Sequence, residues 1–111
     1  MSEQPSVVRI EQLAGELLEE AHRHQSRRAA KTLATGAALR ATLIALVEGA
    51  ELGEHDAPAG ATIHALSGRV RLHTRSTEWE LESGQLTRTP SQRHGLTALT
   101  DAVVLLTVAL R

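Results

Sequence analysis

Gly49–Gly68, GAELGEHDAPAGATIHALSG, is the stretch on which the fold turns: it sets His55, a turn carrying Pro58 and an apolar run ended by Gly68 at fixed intervals. Residues 61–66 read as a strand, so Ala61, Ile63 and Ala65 share one face and His64 takes the other. The same texture continues downstream. Short segments at 69–74, 78–82, 85–88, 95–99 and 102–110 are punctuated by Gly, Ser, Thr and Pro, which is the pattern of strands joined by turns. Regular short strands of this kind predict a β-sandwich or barrel. The clearest segment is RVRLHTRSTEWELE, residues 69–82, in which Val70 and Leu72 alternate with Arg69, Arg71 and His73, and Trp79 and Leu81 with Glu78, Glu80 and Glu82. It predicts a hairpin with one core face and one face of opposed charges. His73 then has a structural part, as a cross-strand neighbour of glutamates.

Upstream the period is different. Ile10, Leu13, Ala14, Leu17, Leu18 and Ala21 follow the three-and-four spacing of a helix with one apolar stripe, and predict a helix over 11–24. Glu11, Glu16, Glu19 and Glu20 lie off that stripe, and His22, Arg23 and His24 close it, an order that suits the helix dipole. Residues 28–34 and 39–47 then read as strands around a turn at Gly36. The second of these, in ALRATLIALV, is apolar at both alternating sets of positions, so something must cover each of its faces. A second copy of the chain, giving a homodimer, or the N-terminal helix can supply that cover. The expected organisation is an N-terminal extension with a helix, residues 1–26, followed by one β-barrel domain, residues 27–111.

A chain of 111 residues has room for one domain. No apolar run approaches the length that spans a bilayer, and MSEQPSVVRIEQ has no basic start followed by an unbroken apolar stretch, so the expectation is a cytoplasmic protein without a membrane association. With no cysteine, any metal would depend on histidine, carboxylate and water. A formal charge of -1, with Trp79 the only aromatic residue besides histidine, gives neither the electrostatic footprint nor the stacking platform of a nucleic-acid binder. Glycine-rich phosphate loops, serine nucleophile elbows and HExxH patterns are absent, and the sole lysine, Lys31, near a strand start shows no sign of the apolar burial an activated amine needs.

The Gly49–Gly68 stretch resembles the first signature of the cupin family, which runs glycine, five residues, His-x-His, three or four residues, glutamate, six residues, glycine. Gly49, His55 and Gly68 fall on its first, second and last marks; Ala57 stands at the second histidine and Ala61 at the glutamate. Gly84, Pro90 and His94 in GQLTRTPSQRHGL resemble the second signature, though the turn lacks its usual glycine and the histidine arrives one residue early. The likeness covers residues 39–110. It implies an all-β, cupin-type jelly-roll β-barrel, here with an N-terminal amphipathic helix.

Metal-bearing cupins gather three histidines and a glutamate inside the barrel. Carried over position by position, His55 and His94 remain, and two imidazoles hold a divalent transition metal only weakly unless Glu54 or Asp56 turns inward to help. His64, on the opposite face from Ala61, is a poor substitute. The alanines have a second implied effect: an interior lined by His55, Ala57, Ala61, Ile63 and His94 should be wider and more apolar than a complete site. That suits a small organic ligand anchored on the two imidazoles, with Gln92 and Arg93 at the rim. The rival readings are a metal-dependent enzyme of dioxygenase or isomerase type using His55 and His94, and a structural dimer holding no ligand.

Overall fold

Alternating side chains in the second half of the chain sort themselves between the inside and outside of two facing sheets. The computed structural model describes residues 7–55 and 60–110, with the side chains of 54 and 55 not described. It contains one helix, α1 (Ile10–Arg23), and nine strands: β1 (Arg28–Thr35), β2 (Leu39–Leu46), β3 (Glu51–His55), β4 (Gly60–Ser67), β5 (Arg69–His73), β6 (Glu78–Glu82), β7 (Leu86–Arg88), β8 (His94–Ala98) and β9 (Ala102–Ala109). Five form a sheet in the order β1-β2-β9-β4-β7 and four a second sheet in the order β3-β8-β5-β6. Every paired neighbour is antiparallel. The strands are all-β in a jelly-roll arrangement, as expected.

Between the sheets lies one core. Ala61, Ile63 and Ala65 are buried while Thr62, His64 and Leu66 are half-buried, which is the alternation read in the sequence. Ile63 and Ala65 meet Ile44 and Leu46 of β2, Val70 and Leu72 of β5, and Leu96 of β8 in that interior. Leu43, Ala45 and Val47 point the other way, into a second cluster with Leu17 and Ala21 of α1 and Val103 of β9. The two-sided apolar strand is therefore satisfied within one chain: α1 does the covering, and a second copy is not needed to account for it. Arg9, before the first turn of α1, makes no side-chain cap. The helix depends on its packed stripe, since a helix this short gains little from propensity alone.

Three contacts between elements hold this frame together. Gly68, between β4 and β5, has φ 74°, and a Cβ there would strike the Asp101 carbonyl oxygen and lie 2.8 Å from Thr100 Oγ1 and 2.9 Å from Ala102 Cα. Only glycine fits. Asp101 joins α1 to the barrel: its Oδ1 accepts the Glu48 N–H at 2.8 Å, and its Oδ2 accepts from His22 Nε2 at 2.6 Å. On the β5–β6 hairpin, register sets Arg69 against Glu82, Arg71 against Glu80 and His73 against Glu78, with diagonal ion pairs Arg69–Glu80 at 3.5 Å and Arg71–Glu78 at 3.9 Å. His73 sits among glutamates, as its alternation predicted.

One element departs from the sequence reading. Residues 51–55, which the sequence reading assigns to no strand, form β3, which pairs Glu51 with Thr97, Leu52 with Leu96 and His55 with His94, the register slipping between Leu52 and His55. No apolar alternation marks ELGEH as a strand; pairing with β8 makes it one. No described helix is long and apolar enough to cross a membrane.

Candidate ligand site at the barrel mouth

The inner face of the five-stranded sheet can be read row by row from its register. One row runs Thr42, Leu106, Ile63, Thr87 across β2, β9, β4 and β7; the next runs Arg40, Val108, Ala61, and continues to Thr89, whose N–H donates to the Ala61 carbonyl at 2.9 Å. Facing them from the second sheet is His94, 3% exposed. Its Nδ1 lies 2.9 Å from the Gln92 carbonyl oxygen, which can only accept, so Nδ1 carries the proton and donates. In the neutral ring Nε2 is then the basic nitrogen. Gly95 follows because a Cβ there would lie 2.7 Å from His73 Cε1 and 2.8 Å from His73 Nε2, and the ring of His73 occupies that space.

Of the residues expected to form the site, Ala61, Ile63 and His94 face the same interior. His55 stands opposite His94 in the β3–β8 register, but its side chain, and Ala57 altogether, lie outside the described residues. Gln92 acts through its main-chain carbonyl. Arg93 is exposed beside it. Among the described residues next to His94, Ile44, Leu52, Ile63, Leu96, Val104 and Leu106 leave about 20 Å³, room for a single water.

The larger space lies one row outward. A pocket of about 570 Å³ opens between β4, β6 and β7, walled by Gly60, Ala61, Trp79, Thr87, Arg88 and Thr89, with Pro90 and Ser91 on the turn that follows. Ile63 and Ala61, successive inward residues of β4, thus border different spaces, the small void and the open pocket. Trp79, read in the sequence as a core position on the hairpin, is half-buried and stands opposite Leu72. Its isolation as the only Phe, Tyr or Trp was the one signal that could have marked it, while Thr87 and Thr89 gave none, because their inward aim depends on β4–β7 pairing.

No family model and no curated protein matches the chain in sequence. Solved structures do. A conserved protein of unknown function from Streptococcus pyogenes is similar at a TM-score of 0.73 and 23% identity, over 99% of this chain and 91% of that one. A cupin superfamily protein from Desulfitobacterium hafniense is similar at 0.71 and 13%, over 76% and 78%. An RmlC-like cupin protein from Desulfovibrio desulfuricans is similar at 0.67 and 22%, over 75% and 82%.

This is a cupin fold. Whether its residues fit a cupin metal centre depends on the donors present. Ala61 has no donor atom, nor has residue 57, also alanine. Among the described residues no three His, Cys, Asp or Glu side chains gather to hold an ion. Even with His55 added to His94 the count is two imidazoles, below the three protein ligands of an ordinary site. The residues do not fit the full centre.

Proposed function

We propose that this cupin-domain protein is a binding module for a small organic molecule, held between the sheets at the mouth, with the two histidine positions at its inner end. The observation that carries the reading is the pocket of about 570 Å³ walled by Trp79, Thr87, Thr89 and Ala61, a volume within the ~300 to 1,000 Å³ of small-molecule sites. Trp79 offers a flat apolar surface, the threonines offer hydroxyls, and Ala61 leaves the floor low. The ligand this suits has an apolar face and polar groups at its edge.

Trp79 is the only tryptophan and the chain has no tyrosine, so intrinsic fluorescence excited near 295 nm reports on this pocket alone. Titration with a library of small ring compounds should change Trp79 emission saturably for some members, and Trp79→Leu should weaken calorimetric binding of those members by about tenfold, the worth of a stacking contact. A library that never perturbs the emission, or binding untouched by Trp79→Leu, defeats the reading.

A metal-dependent activity is the second reading. The Nδ1–H of His94 donating to the Gln92 carbonyl favours it, because metal-bound histidines are commonly held by such a bond.

A further inference from the structure

Burial falls away along the outer face of the five-stranded sheet. The outward residues of β2 go from buried at Ala45 and Leu43 to half-buried at Ala41 and exposed at Leu39, and in β9 Val103 is buried while Leu105, Thr107 and Ala109 are half-buried. The cause is α1, whose Leu17 and Ala21 cover Leu43, Ala45 and Val103 and reach no further. Register sets two bare rows beyond that cover: Ala41, Thr107, Thr62, and Leu39, Ala109, Gly60. Leu39 is 49% exposed, and Leu86, which pairs with His64 on the same face, is 60% exposed.

Two features identify what covers this face. Its central side chains are small, and its charged residues sit on the edge strands, Lys31 on β1 and Arg88 on β7; a flat, uncharged centre suits the face of another sheet. Its profile is also a step, with a helix layer over one half and bare sheet over the other. A helix layer is about 10 Å thick, and stacked sheets lie about 10 Å apart. Two copies related by a two-fold axis across the strands therefore interlock, bare half on bare half, with each α1 closing the far end of its partner's sheet. Strand and residue spacings make the bare half roughly 24 Å by 17 Å. Two copies hide about 800 Å² of flat area, and the helix flanks bring this to the ~1,000 Å² that a specific interface needs.

We infer that two copies of the chain meet through this bare half-face, sheet on sheet, with β9 crossing β9 and Thr107 beside the axis. The ligand pocket lies on the inner side of the same sheet and takes no part, so the inference stands whatever the pocket binds.

Sedimentation equilibrium between about 1 and 100 μM should reach twice the chain mass of 11.9 kDa at the upper end. Thr107→Glu brings two carboxylates together near the axis, and should give the single-chain mass with unchanged far-UV circular dichroism. Leu39→Ser changes a half-exposed side chain that folding does not need, and should raise the dimer dissociation constant about tenfold. Thr97→Glu, on the outer face of the other sheet opposite Arg71, should leave it unchanged. A parent of 11.9 kDa at about 100 μM overturns the inference and leaves the face to a different partner. A dimer that persists in folded Thr107→Glu also overturns it, by setting the interface elsewhere; if that variant unfolds, Leu39→Ser decides alone, and an unchanged dissociation constant is the adverse result.

Discussion

Gly68 carries two constraints that a side chain cannot meet together. Its φ of 74° is a region L-residues avoid, and the Asp101 main chain fills the place of a Cβ. Gly84, at φ 89°, shares the first constraint and escapes the second, since nothing lies within 4 Å of a Cβ built there. The pair separates backbone strain from steric conflict. Gly84→Ala should cost about 1 kcal/mol, and Gly68→Ala should cost more than about 3 kcal/mol, since the β4–β5 turn must open away from residues 100–102. Urea denaturation of the two variants checks this, and equal costs would mean that the turn relaxes freely. The resemblance that picked out Gly68 from spacing alone thus marks a place where two strands of one sheet and one of the other come too close for any side chain.

At the scale of elements, α1 is joined to the barrel by its apolar stripe and by the His22–Asp101 contact. The Asp101 carboxyl is held below the usual carboxylate range, first by the hydrogen bond from the Glu48 N–H and then by that from His22. A folded-state value below the unfolded one means the stabilisation is complete above the unfolded value of about 3.9 and disappears as pH falls through the lower, folded one. Asp101→Asn should therefore lower the denaturation midpoint at about pH 5, and the gap from the parent should narrow toward about pH 3. A gap that stays constant or widens on acidification would show that the carboxylate contributes nothing through its charge. Elements whose own pattern decides them were legible in the sequence: α1 from its stripe, β4 to β6 from strict alternation, β2 from apolarity on both faces. β3 was not, because Glu51, Gly53 and Glu54 interrupt any alternation and only pairing with β8 extends the segment.

For the whole molecule, the fold was legible because several independent periodicities and two glycine-bounded signatures agree on it. Of the residues that wall the pocket, only Ala61 coincides with those signatures; Ile63 and His94, marked by the same stretches, border the small void behind it. Trp79, Thr87 and Thr89 were not legible, since they border one pocket only through pairings between strands far apart in sequence, and alternation within one strand cannot tell which space its inward face will border. The same consideration decides how the molecule should answer to its two competing readings. A metal bound only to the folded state raises the melting temperature, and a chelator removes that increment. Two imidazoles flanked by alanines supply too few donors, so protein prepared without an affinity tag should carry less than about a tenth of an equivalent of any transition metal and melt unchanged with chelator present. A small organic ligand of the pocket at a hundredfold excess over its dissociation constant should instead add about 2.7 kcal/mol, raising the melting temperature by about 10 °C for a chain of this size. Stoichiometric metal, with a melting temperature that drops on chelation, would reverse the assignment: the histidine pair would then be the centre of the site and the pocket its approach.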